Sequence, residues 1–239
     1  MPFTFAHPAI VLPLRKVSPG YFSLTALIIG SVVPDFEYFI RMKILSEHSH
    51  TFAGLFYFDL PVGLLLYLIF VTFVRIPIIT HLPMCLRQRC RYDFRSMNLI
   101  VVVLSIVVGA VTHLFWDSFT HVTGYAVLHI SLLQTEIVIG HYSLPGFKIL
   151  QHVSTFVGIV FIVFTLIQQP REIRDYFSPS PYYWFIVLII LALTALGRYL
   201  TGNISNFGDR VVAGISGVLL GTLIASIFYY ARFPDRRAI

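Results

Sequence analysis

The sequence predicts an all-α fold: a polytopic membrane helical bundle of about six transmembrane helices, preceded by a short N-terminal interfacial or re-entrant helix. Three observations carry this. Of 239 residues, 57% are apolar and only 12% are charged, whereas an ordinary soluble domain carries about 25% charged residues. Mean hydropathy is +0.81. The apolar residues also gather in windows of roughly 20, the length needed to cross the hydrocarbon core. A chain with 22 Phe and 13 Tyr has ample surface to bury, which excludes disorder. One integral-membrane domain spanning 1–239 accounts for the length.

Residues 1–17 are apolar but too short to cross, and Pro2, Pro8 and Pro13 interrupt them. Pro8, directly after His7, suits the first position of a short helix. With no basic stretch and no small-residue cleavage site, a removable signal peptide is not expected. A first span, 22–40, carries Asp35 and Glu37. Further spans follow at about 52–74, 97–120, 150–168, 182–201 and 211–231.

Loop charges set the orientation. Arg15, Lys16, Arg75, Arg87, Arg89, Arg91, Arg95, Arg171, Arg174, Arg232, Arg236 and Arg237 fall on alternate loops, twelve of the 17 basic residues. Arg41, Lys43, Lys148, Arg198 and Arg210 occupy the others. This bias puts the C-terminus in the cytoplasm and 121–150 outside. The arginines around 87–95 read as a topogenic signal touching anionic membrane lipid. They are not a nucleic-acid site, because no soluble module accompanies them. Cys85 and Cys90, in the same loop, lack C-x-x-C spacing and are expected to be plain reduced thiols.

The polar residues within the spans converge on the outer side. In THLFWDSFTH, His113, Asp117 and His121 recur every four residues. That spacing lines them along one helical face, each about 6 Å further along the axis. Two imidazoles and a carboxylate in such a stripe can supply two or three ligands to zinc or a similar divalent ion. Thr112, Ser118 or Thr120 could orient them. Asp35 and Glu37 fall at the end of the first span. His48 and His50 precede the second, and Asp59 lies about two turns inside it. His152 opens the fourth span, and His7 joins the group if its segment starts outside. His129 and His141 read as interfacial anchors, and His81 belongs to the other face. A carboxylate near the bilayer centre costs about 2.5–3.5 kcal/mol, so Asp35, Asp59 and Asp117 need a reason to be there. Ionic glue between helices is one reason. Basic partners are few on that side, and imidazoles with a metal neutralise three carboxylates more naturally.

The segments MPFTFAHPAIVLPLR, IIGSVVPDFEYF, HSH, FDLPVG, THLFWDSFTH and LQHVSTFVG, over about 1–170, resemble a bacterial integral-membrane family, domain-of-unknown-function family 4184. That implies a multi-pass protein of the bacterial inner membrane, with no activity attached. More distantly, the order His, P-D, His, then H-x-x-x-D with a further His is similar to membrane-bound metal-dependent hydrolases and to the zinc-dependent phospholipase C group. This likeness implies metal ligands at His7, Asp35, His48 or His50, His113, Asp117 and His121. The later H-x-x-x-E pair of that group has no match, because neither His141 nor His152 is followed by Glu four residues on.

The resulting expectation is a zinc-dependent hydrolase acting on a phosphoester of a lipid or amphiphilic substrate at the outer face. Asp59 or Glu37 would serve as catalytic carboxylate, and Arg198, Arg210 and His152 would meet the substrate. The alternatives are an ion- or proton-coupled transporter or lipid-handling protein using the same Asp/His cluster, and a scaffold in which the cluster is structural.

Overall fold

The computed structural model describes residues 3–17, 20–90, 98–171, 179–202 and 206–233, for 15–17 and 139 the backbone alone. Arg91, Arg95, Arg174, Arg236 and Arg237, on which part of the orientation argument rests, lie outside the described residues, as do the side chains of Arg15 and Lys16.

The all-α expectation holds. A 3-10 turn, Thr4–Ala6, leads into α1 (Pro8–Val17), with Pro8 at its first position. Pro34 has no N–H to give the preceding turn and its ring clashes there. The expected first span is therefore built in pieces: α2 (Leu24–Val32), a 3-10 turn Val33–Asp35, and α3 (Phe36–Arg41). Ser23 caps α2, accepting from Ala26 N at 3.3 Å. The second span, α4 (Leu55–His81), widens into π turns at Leu55–Asp59 and Phe70–Val74, upstream of Pro61 and Pro77 respectively. Those prolines remove the i→i−4 bonds that an undistorted helix would need there. Because α4 continues to His81, Arg75 stands inside the helix and not in the loop the sequence suggests.

After α5 (Met84–Arg87) comes α6 (Leu99–Asp117), capped by Asn98, whose side chain accepts from Ile100 N at 2.9 Å. The 121–150 segment holds α7 (Tyr125–His129), α8 (Ser131–Gln134) and an antiparallel hairpin, β1 (Glu136–Ile139) with β2 (Tyr142–Pro145), in which Ile137 pairs with Leu144. Then come α9 (Gly146–Ile167), α10 (Pro181–Leu200) and α11 (Phe207–Arg232). Among the described residues, α4, α6, α9, α10 and α11 are long and apolar enough to cross a membrane. Their outward faces leave Phe156, Leu188 and Phe228 exposed. A soluble monomer rarely shows apolar patches of that extent.

The chain forms two compact units. The first comprises 1–35, 48–64 and 95–168. In it α2 and α6 meet backbone to backbone: a Cβ on Gly30 would collide with the Ile106 carbonyl, and one on Gly109 would lie 2.5 Å from Leu27 O. Small residues are how helices in lipid approach this closely. Leu27, Val33, Ile106 and, from α1, Val11 fill the core beside this crossing.

The second unit comprises 36–47, 65–94 and 169–239. Here Tyr183 and Val187 of α10 pack on Ala225 of α11, and Ile76 packs with Tyr229 and Tyr230. His81 is fully satisfied in this core. Its Nδ1–H donates to Pro77 O at 2.6 Å, its Nε2 accepts from Ser180 N at 2.9 Å, and its ring stacks on Tyr183 with centroids 4.1 Å apart.

Candidate metal centre

The cluster forms entirely within the first unit. On α6, four-residue spacing turns His113 and Asp117 to the same buried face, and Asp117 is the last residue of that helix. Asp35 closes the 3-10 turn that ends α2 and has no exposed surface. Asp117 thus stands where the helix dipole is negative, which favours a cation beside it. His50 reaches in from the loop before α4. Its backbone is left-handed, with φ +55°, a conformation that costs a residue other than glycine roughly 1–2 kcal/mol. Strain of this kind gathers at functional sites.

The ligand atoms form a closed ring. His50 Nε2 is 3.4 Å from Asp35 Oδ1 and 3.4 Å from Asp117 Oδ2. His113 Nε2 is 3.6 Å from Asp35 Oδ1 and 3.4 Å from Asp117 Oδ2. All four atoms lie within 4.8 Å of one another. Zinc bonds of about 2.0–2.2 Å in tetrahedral geometry set neighbouring ligand atoms roughly 3.3–3.6 Å apart. The ring matches that spacing.

Proton accounting agrees. His113 Nδ1 lies 2.8 Å from Ser31 O, and His7 Nδ1 lies 3.2 Å from Thr4 O. A carbonyl only accepts, so each Nδ1 carries the hydrogen and a neutral ring presents a lone pair at Nε2. Those lone pairs face carboxylate oxygens. Among the described residues, His113 Nε2, His121 Nε2, Asp35 Oδ1 and Asp117 Oδ2 have no hydrogen-bond partner. Buried acceptors turned toward one another are costly unless a proton or a metal ion sits between them: the His50 imidazolium, 3.4 Å from both carboxylates, fills that place without metal, and a divalent ion can take it over. The donor set therefore fits a divalent ion.

A family model described as "Domain of unknown function (DUF4184)" matches residues 1–227. The chain belongs to the DUF4184 family. The match runs well past 170, where the sequence motifs fade, and takes in α10 and most of α11. No curated protein and no solved structure matches this DUF4184 chain.

Of the expected ligands, the structure brings together His7, Asp35, His50, His113, Asp117 and His121. His7 Nε2 sits 3.3 Å from Asp117 Oδ1. His121, one turn beyond Asp117, places Nε2 3.7 Å from Asp117 Oδ2 with its side chain 30% exposed. Asp59 is fully buried in the first π turn of α4, which packs on the Asp35 turn and on α6. His48 is exposed, with Nδ1 3.3 Å from Tyr57 Oη and its ring stacked on Phe58. His152 is exposed on α9.

Glu37, Arg198 and Arg210 belong to the second unit. Glu37 accepts from Arg41 Nε (3.0 Å) and Glu47 N (2.9 Å), shaping its own loop. Arg198 donates to Met42 O at 3.2 Å, and Arg210 is exposed near the start of α11.

The groups that orient the ligands differ from those the sequence suggests. Thr112 and Ser118 bond back to their own helix, at Gly109 O (2.7 Å) and Phe115 O (2.6 Å). Thr120 alone of the three approaches a ligand, 3.5 Å from Asp117 Oδ1. The orienting work falls to the Ser31 and Thr4 carbonyls and to the Thr4 hydroxyl, which donates to Asp35 Oδ2 at 2.5 Å. Thr4 stands three residues before His7, and only the conjunction of the two in FTFAH hinted at a shared task.

Proposed function

We propose that this protein is a membrane-embedded, metal-dependent hydrolase that cleaves a phosphoester of a lipid or other amphiphilic substrate. Its place is the bacterial inner membrane, with the C-terminus cytoplasmic and the site toward the outer face. The observation that carries the reading is the ring of Asp35, His50, His113 and Asp117, whose edges have the length a four-coordinate ion requires. Two imidazoles and two carboxylates in that arrangement suit zinc first.

A divalent ion held here supplies Lewis acidity and brings the pKa of a water toward neutrality. The chain's own residues do the rest. Asp35 and Asp117 bind and neutralise charge, while the Ser31 and Thr4 carbonyls hold the His113 and His7 rings in one tautomer. Burial lowers the pKa of His121 to about 4, so its imidazole is neutral near pH 7. On the partly exposed side of the cluster it is the best-placed base. It takes a proton from water as the water oxygen bonds to phosphorus and the P–O ester bond breaks, and the leaving alkoxide then takes up a proton. Asp59 is the carboxylate we assign to support that base. His152, exposed on α9, is the group we propose to meet the anionic head of the substrate.

The amphiphilic substrate is supported by the apolar, exposed faces of the long helices, which suit a site surrounded by lipid. An ion- or proton-coupled carrier is the competing reading. A carrier's titratable groups must change partners, whereas His113 is pinned to Ser31 O and Asp35 to the Thr4 hydroxyl.

Metal analysis of detergent-purified wild type and Asp117→Ala, with release of phosphate from lipid mono- and diesters measured in parallel, tests the proposal. We expect stoichiometric zinc and hydrolysis in the wild type and neither in the variant. A wild type without metal removes the metal centre, and a metal-loaded wild type inert on every ester removes the hydrolase.

A further inference from the structure

Resting on the metal centre proposed above, we infer that α9 holds the ligands of that centre in place. Thr155 and Gly158 are positioning residues, acting on Asp35 and His7 through the 3-10 turn Thr4–Ala6. The turn itself divides the work. Residues three apart eclipse one another in 3-10 geometry, so the segment Phe3–His7 has two separate faces. Thr4 and His7 form the face toward the centre. The Thr4 hydroxyl donates to Asp35 Oδ2, the Thr4 carbonyl accepts from His7 Nδ1–H at 3.2 Å, and His7 Nε2 lies 3.3 Å from Asp117 Oδ1.

Phe3 and Ala6 form the other face, and both meet α9. Phe3 N donates to Thr155 Oγ1 at 3.1 Å, and the Thr155 hydroxyl donates in turn to Gln151 O at 2.8 Å. Ala6, with no exposed surface, lies against Gly158. A Cβ on Gly158 would stand 3.1 Å from Ala6 O and 3.2 Å from Ala6 Cβ.

A turn this short does not hold its own shape. The first turn of a helix fixes about six dihedrals for a single hydrogen bond, which is unfavourable in isolation. Phe3–His7 is closed by Ala6 N to Phe3 O at 2.7 Å and by His7 N to Thr4 O at 3.3 Å. The turn therefore needs support from outside, and α9 provides it at the two residues that face away from the centre.

The rival explanation is that α9 merely packs on the bundle. Among the described residues of α9, however, Gly158 is the one that is buried. Beside it α1, α6 and α9 leave an apolar hollow of about 430 Å³, lined by Ile10, Phe115, Phe119 and Phe161 among others. Close general packing would have filled that space. The scale of the contact also matters. A methyl group at position 158 forces Ala6 to give by a few tenths of an ångström, whereas metal–ligand distances hold within about 0.2 Å. A shift that small is therefore enough to reach the ligands.

The test is the zinc affinity of the detergent-solubilised full chain, measured by chelator competition. Thr155→Val keeps the shape, removes the acceptor, and is expected to weaken binding roughly 10-fold or more. Thr155→Ser keeps the hydroxyl and is expected to stay within about twofold of wild type. Gly158→Ala is expected to lose roughly 10- to 100-fold. Phe161→Ala, on the same helix beside the hollow, is expected to unfold at lower temperature with unchanged affinity. Because Thr155 acts in part through Thr4, combining Thr155→Val with Thr4→Val should cost well short of the product of the two single losses. Zinc should also slow hydrogen exchange at the Phe3 amide of the wild type, since coupling between two sites is reciprocal. Wild-type affinity in Thr155→Val overturns the inference. So does an equal loss in Phe161→Ala, or losses that multiply in the combined variant. Should the variants not fold, Phe3 exchange in the wild type that zinc leaves unaltered overturns it alone. A wild type that holds no zinc removes the metal centre itself, which keeps the two failures distinct.

Discussion

The imidazole of His113 donates its Nδ1–H to the carbonyl of Ser31 at 2.8 Å, across the crossing of α6 with α2. This bond ties a ligand on one helix to the backbone of another. It forms because Gly30 and Gly109 let the two helices touch without intervening side chains. The metal ligand is therefore positioned by a packing feature about a turn away from it.

Gly109→Ala should expose that dependence. The added Cβ would lie 2.5 Å from Leu27 O and 2.6 Å from Ser31 N, so the helices must part. Overpacking of this kind costs about 1–3 kcal/mol. Lengthening the His113–Ser31 bond should also weaken metal binding by roughly 10- to 100-fold, as loss of a ligand's supporting hydrogen bond does. Thermal unfolding and chelator competition measure the two effects. Unchanged affinity in a destabilised protein would separate the crossing from the site.

Thr4 offers a gentler probe. Its hydroxyl donates to Asp35 Oδ2 at 2.5 Å, leaving Oδ1 to face His50 and His113. Thr4→Val keeps the shape and removes the donor, so affinity should fall by roughly 10-fold or more. Thr4→Ser keeps the donor and should stay within about twofold of wild type. Equal affinities for the two variants would show that the hydroxyl does not orient Asp35.

The parts of this site that could be read from sequence are those set by chain-local periodicity. Spacing of four along α6 aligns His113, Asp117 and His121 whatever the rest of the fold does. Pro34 had to break the first span next to Asp35. The orienting groups were not readable, for two reasons. Inside a helix the nearest acceptor for a Thr or Ser hydroxyl is a carbonyl three or four residues back, which is where Thr112 and Ser118 go. Main-chain carbonyls such as Ser31 O carry no residue signature, and their aim is fixed only when α2 and α6 pack. The left-handed backbone of His50 is likewise a product of loop closure.

His81 is the control among the histidines. Both of its nitrogens are satisfied, by Pro77 O and Ser180 N, and its ring stacks on Tyr183. His81→Ala orphans the Ser180 N–H, a loss of about 1–3 kcal/mol. The variant should unfold at lower temperature yet keep the wild-type metal content. If it lost metal in proportion to stability, metal content would be reporting folding and not ligation, and the Thr155 and Asp117 variants would have to be judged by metal spectroscopy on folded fractions.

Acidity should control loading through His50. Burial alone would lower the pKa of this ring, but the carboxylates of Asp117 and Asp35, each 3.4 Å away, outweigh it and raise the value from 6.5 to about 9. A group whose pKa is raised by folding stabilises the folded state fully below its unfolded value. That contribution is lost as the pH rises through the folded value. The metal-free protein should therefore lose stability between about pH 6.5 and 9. A metal ion needs the same nitrogen deprotonated, so binding below pH 9 releases the His50 proton. Affinity should then climb by about tenfold per pH unit toward pH 9 and level off above it. The loaded protein, whose His50 carries no proton, should show no such loss of stability over the same range. Unfolding temperatures with and without metal, together with affinities by chelator competition from pH 6 to 10, measure both trends. A metal affinity that stays flat below pH 9 would exclude His50 as a ligand.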